Sequence, residues 1–113
     1  MALALNVFQT VTSVVNTSPV GIYTAPVGYT GVVLLAQVAN IGATSADVSL
    51  SHKRSVAGIA VTTEMLKNYP ISANDTANLL SGKLVLESGD SLVLSGSNGT
   101  NLKFIGSILE TLN

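Results

Sequence analysis

The chain has no cysteine and no tryptophan, a single histidine, and only five Lys/Arg and six Asp/Glu in 113 residues. Without cysteine the fold takes nothing from disulfides, and thiolate chemistry and Cys-ligated metal sites are excluded. Charged residues make up 10% of the chain, against about 25% in an ordinary soluble domain, while 47% of positions are hydrophobic. A net charge of −1 provides no clustered basic face for phosphates, so nucleic acid is not expected as a partner. Intrinsic disorder couples low hydrophobicity to high net charge, and this chain has neither. The longest apolar stretch, residues 31–39, is interrupted by Gln37, so no membrane-spanning helix is expected. The opening ten residues lack the basic region of a secretory signal and run straight into a strand-like pattern, so they are expected to belong to the mature fold.

The few charges are unevenly placed. Residues 1–46 hold no Asp, Glu, Lys or Arg, and the first charge is Asp47. Near-neutral apolar surfaces invite association, so much of this half is expected to be covered by a partner. The alternative is that its Ser, Thr, Asn and Gln side chains solvate the strands by themselves. A chain of this length can hide about 65% of the surface its unfolded form exposes, enough for one core and one domain spanning residues 1–113.

What is present reads as β-structure. From Leu3 to Val15 apolar and polar residues mostly alternate with period two, as in a half-buried strand. Turn residues follow (Ser18, Pro19, Gly21), then a short strand over Ile22–Thr24 and a tight turn at Ala25-Pro26-Val27-Gly28. Val32–Ile41 is apolar on both faces through Ala36, the pattern of a central strand, and Ala46–Lys53 alternates most cleanly. Lys53-Arg54-Ser55 reads as a loop, and the β-branched residues after Gly58 as a strand to Leu66. Pro70 closes that segment too early for Glu64-Met65-Leu66-Lys67 to grow into a helix, and residues 72–81 read as loop with one helical turn capped near Asn74-Asp75-Thr76. Leu84–Glu87 and Ser91–Leu94 flank a tight Gly turn, Ser97-Asn98-Gly99-Thr100 carries the strongest type I′ hairpin signal, and Leu102–Leu112 is the last strand. Seven to nine short strands without a convincing helix predict an all-β fold, a single antiparallel β-sandwich of jelly-roll-like form.

The residues offer little chemistry. His52 is alone beside Lys53 and Arg54, with no second His or Cys to complete a zinc site, and none of the 13 serines lies in a Gly-x-Ser-x-Gly elbow. Glu87 and Asp90 flank a turn rather than a recognisable cleft, and Asp47, Asp75 and Asp90 are too scattered for a calcium loop. Gly28-Tyr29-Thr30-Gly31 and Gly82-Lys83 lack the spacing of phosphate loops. No catalytic residue, metal or cofactor is expected. Three Asn-x-Ser/Thr triplets, at Asn16, Asn74 and Asn98, read as by-products of a composition rich in Ser, Thr and Asn. Tyr23, Tyr29 and Tyr69 could form a stacking platform for sugars if the fold brought them together, but packing roles are the simpler reading.

Ile22-Tyr23-Thr24-Ala25-Pro26-Val27-Gly28, followed by Thr30–Leu34, Val38–Ile41 and the turn into Val48-Ser49-Leu50, resembles small virion structural proteins of tailed bacteriophages, cyanophages among them. Leu80–Leu92 and Ile105–Glu110 are similar to the second half of the same pattern, so the resemblance covers roughly residues 20–112. It implies a non-enzymatic, β-rich building block located in the virion. Scarce charge suits such a role, because burying unpaired charge costs several kcal/mol whereas apolar area contributes about 25 cal/mol per Å². The leading expectation is a capsid decoration or cement protein, often a homo-oligomer, whose partner is the major capsid protein or another virion protein. A neck, tail or fibre-attachment component is the first alternative, and a carbohydrate-binding module or adhesin the second. The charge-free half nominates Leu5, Val7, Phe8, Val11, Tyr23, Tyr29 and Val32 as interface residues.

Overall fold

A computed structural model describes residues 6–112. Among these the strands are β1 (Asn6–Val14), β2 (Val20–Thr24), β3 (Tyr29–Asn40), β4 (Ala46–Val56), β5 (Ile59–Ile71), β6 (Thr76–Asn78), β7 (Leu84–Leu86), β8 (Ser91–Gly96) and β9 (Leu102–Leu112). They form two antiparallel sheets. The first runs β1-β9-β3, with the short β6 and β7 sharing the far side of β3; the second runs β2-β8-β4-β5. The pairing is nested: β1 with β9, β2 with β8, β3 with β6 and β7, β4 with β5. Such a chain is one long hairpin rolled up so that successive pairs fall in alternate sheets, the jelly-roll-like sandwich expected from strand number and spacing.

Alternation decides which side chains line the interior. In β4, Ala46, Val48 and Leu50 are buried while Asp47, Ser49 and Ser51 point outward. In β9, Leu102, Phe104 and Ile108 are buried and Lys103 and Ile105 are exposed. With Val33, Val38, Leu86, Leu92 and Leu94 these residues fill the space between the sheets, an aliphatic core whose one buried Phe is Phe104. Glycine matters at Gly31, where an added Cβ would lie 3.1 Å from the Tyr23 hydroxyl; its absence lets the Tyr23 ring cross between the sheets.

The structure corrects several expectations. Lys53-Arg54-Ser55 is strand, because β4 continues to Val56 and turns at Ala57-Gly58 (φ 54° and 80°) into β5. Two positive φ angles in a two-residue connection make this the tight hairpin of the chain. The Asn98-Gly99 signal is no hairpin: β8 and β9 belong to different sheets, and Asn98 Oδ1 instead accepts from the N–H groups of Thr100 and Asn101 in a local Asx-type turn. Leu84–Leu86 and Ser91–Gly96 likewise lie in opposite sheets, so the turn at Gly89 (φ 87°) is a corner of the sandwich. Pro70 lies inside β5, tolerated because that strand is an edge. Residues 76–78, expected as loop, form β6. β1 is described over Asn6–Val14; the part of its expected span before that, with Leu5, lies outside the described residues.

Candidate protein-binding face

Cross-strand register sorts the outer surface of the first sheet into rows, since residues directly opposite each other project from the same face. One row is apolar from edge to edge: Phe8 opposite Leu109, Leu109 opposite Val32, Val32 opposite Val85. Phe8 is 75% exposed and Val85 54%. On one side of it lie Asn6, Thr111 and Thr30; on the other come Thr10, Ser107 and Leu35, then Thr12, Ile105, Gln37 and Asn78, then Val14, Lys103, Ala39 and Thr76. Lys103 is the one charge in these rows. Between the last two rows the face sinks into a groove of about 600 Å³ bordered by Thr12, Val14, Gln37, Thr76, Lys103 and Ile105. The outer face of the second sheet differs: its groove, about 570 Å³, is bordered by Lys53 and Glu64.

Of the nominated residues, Phe8 and Val32 fall on the apolar row. Val7 and Val11 alternate to the other side of β1 and are half-buried, Val11 against the core. Tyr23 is half-buried and also packs against the core, and Tyr29 begins β3 opposite Leu112. Tyr69 lies on β5 opposite Val48, which pairs with Gly96, whereas Tyr23 pairs with Leu92 near the other end of β8, so the tyrosines make no common platform. Val85 completes the row although nothing in its own strand marks it; the signal is the register between strands.

The ionisable side chains are used as internal ties. Asp90, 2% exposed at the corner before β8, is held by Arg54, whose Nε lies 3.0 Å from Oδ1 and whose terminal nitrogen lies 2.7 Å from Oδ2. His52 Nε2 lies 2.9 Å from the same Oδ2, and the Glu87 N–H donates to it at 3.0 Å. Arg54 also reaches the exposed Glu87 at 3.0 Å. The Arg54 guanidinium, helped by His52 and the Glu87 N–H, holds the Asp90 carboxyl well below the usual carboxylate range, although burial works against this. The cluster fastens β4 to the corner leading into β8. A second tie joins the sheets: Tyr23 on β2 donates to Glu110 Oε2 on β9 at 2.5 Å, and Gln9 on β1 donates to Oε1 at 2.7 Å. Burial, and then the carboxylate itself, push the Tyr23 hydroxyl far above its ordinary range, so it remains a donor. Both carboxylate oxygens of Asp90 and both of Glu110 have a protein donor, a geometry suited to fastening strands rather than to general acid–base work. Among the described residues no cluster of His, Asp and Glu could hold a metal ion, and no helix is long and apolar enough to cross a membrane.

No protein-family model and no curated protein sequence matches the chain. Solved structures do share its fold. One is a chain of the acid-stable capsid of the Helicobacter pylori bacteriophage KHP30, with TM-score 0.55 and 14% identity, over 96% of this chain and 89% of that one. Another belongs to the T13 viral particle of IBDV, with TM-score 0.59 and 11% identity; the match takes in 97% of this chain but 32% of that one. A third comes from Bacillus endospore appendages described as disulfide-linked pili, with TM-score 0.51 and 11% identity, over 100% of this chain and 97% of that one. At these identities the likeness is one of fold.

Proposed function

We propose that this protein is a non-enzymatic structural component of a virus particle, a decoration or cement protein that binds an assembled phage shell and stabilises it. The observation that carries the reading is the outer face of the first sheet, where an apolar row spans four strands and Lys103 is the lone charge. Covering such a face removes apolar area from water, at about 25 cal/mol per Å² gained, and leaves almost no charge to desolvate. The fold shared with a KHP30 capsid chain of similar length supports the same reading. The partners are shell proteins, and the location is the virion.

The test is co-sedimentation with purified shells. Val85→Asp places a charge at an exposed position of the row and is expected to reduce shell binding by roughly tenfold or more while leaving the fold intact. Equal binding by Val85→Asp and wild type would remove this face from the interface.

A second reading, a subunit of a tail or other filament, is favoured by the fold shared with endospore pili. Those pili are disulfide-linked, and this chain has no cysteine, so a filament of it would be held by other contacts.

A further inference from the structure

The sandwich has four lateral edges, and three carry features that discourage pairing with another strand. β2 is five residues long, follows Pro19 and has a register break between Gly21 and Tyr23. β5 contains Lys67, Glu64 and Pro70, places Asn68 at a φ of 51°, and slips register twice against β4. β6 and β7 are three residues each. Short strands, bulges, prolines and charges are the recognised means by which proteins blunt an open edge. β1 has none of them. Its nine residues pair with β9 in unbroken register, contain no Pro, Gly or charge, and have no further strand beyond them among the described residues.

The same strand is complementary to itself. An antiparallel two-fold axis through Thr10 overlaps the nine described residues of the strand, setting Phe8 opposite Thr12 of the second copy and Asn6 opposite Val14. Phe8 is the most exposed residue of the apolar row, and Thr12 and Val14 form the β1 side of the groove of about 600 Å³ on the same face. The axis therefore carries each protruding phenyl ring to the rim of the other copy's groove, against Thr12, Val14 and Ile105. No charge opposes another anywhere in the pairing.

We propose that the protein forms a two-fold dimer through β1, in which the first sheets of two copies join edge to edge and Phe8 of each packs against the β1 rim of the other's groove. An isologous contact makes each interaction twice, so both Phe8 rings are buried by one event. The joined sheet keeps Leu109, Val32 and Val85 facing outward and doubles the apolar row. The dimer does not depend on shell binding, and the two are measured separately.

The absence of native cysteine makes the register directly testable. Residues opposite each other across an antiparallel pair bring their Cα atoms to about 4.5–5.5 Å, within disulfide range. Thr10→Cys is therefore expected to give a disulfide-linked dimer under mild oxidation. Thr12→Cys, whose copies would be displaced by four residues or roughly 13 Å along the strands, is expected not to. Sedimentation equilibrium of the wild type is expected to show a dimer, and Phe8→Asp to raise its dissociation constant roughly tenfold or more. A wild type that stays monomeric at high concentration would overturn the proposal, as would equal cross-linking of Thr10→Cys and Thr12→Cys.

Discussion

Asp90→Asn keeps the size of the side chain and removes its charge. The carboxylate takes two bonds from Arg54 Nε, one from the Arg54 terminal nitrogen, one from the Glu87 N–H, and is paired with His52. An amide retains one acceptor oxygen, and whichever way it is turned, its NH₂ meets a donor that the carboxylate satisfied. Bonds to charged groups contribute about 1.5–3 kcal/mol, so a loss of about 2–3 kcal/mol is expected at pH 7. In urea unfolding that is a fall in midpoint of roughly 1–2 M. The sign with pH follows from the depressed carboxyl. Its contribution is complete above the ordinary aspartate value of about 3.9, and is lost progressively as pH drops from there towards the lower folded value. Wild type should therefore lose more stability than Asp90→Asn as the pH is lowered from 4, and the two curves should converge in strong acid. A gap under about 0.5 kcal/mol at pH 7, the range of ordinary surface changes, would refute the clasp. So would a gap of the same size at pH 2.5 and pH 7.

Tyr23→Phe strips one buried oxygen of Glu110 of its donor while Gln9 still serves the other; the expected cost is about 1.5–3 kcal/mol, a drop of roughly 5–10 °C in the thermal midpoint. An unchanged midpoint would show that this bond does not tie the sheets. Leu50→Ala empties a fully buried position and should cost about 2–5 kcal/mol, whereas Val85→Ala on the outer row should stay within about 0.5 kcal/mol by the same chemical denaturation. Similar costs at the two positions would contradict the division of the chain into inner and outer faces.

Much of the fold is legible in the chain because period-two alternation is a local property. β4 and β9 declare their buried faces residue by residue, and the bounds of β9 agree with those expected. Turns are less legible. Asn98-Gly99 and Gly89 mark changes of direction, but whether the next strand pairs with the last or crosses to the other sheet depends on long-range packing. Ala57-Gly58 makes the tightest turn although Ala does not favour positive φ; the long β4–β5 ladder holds it there. The candidate face is legible only in part. The charge-free stretch before Asp47 takes in β1 and β3 of this sheet but also β2 of the other, and Phe8 and Val32 belong to the row. Val85 and Leu109 join it through register alone, and Val7 and Val11 leave it because a strand can offer only alternate residues to one face. Tyr23 is apolar enough to suggest a contact surface, yet a buried carboxylate 87 positions away in sequence claims its hydroxyl.

The central claim is that a nearly uncharged sheet face exists to be covered by a shell. Quantitative mass spectrometry of purified particles measures this most directly. Copies in the hundreds per particle, in fixed ratio to the major shell protein, are the predicted result. A dozen copies or so would transfer the protein to a neck or tail, and its absence from washed particles would contradict the account altogether.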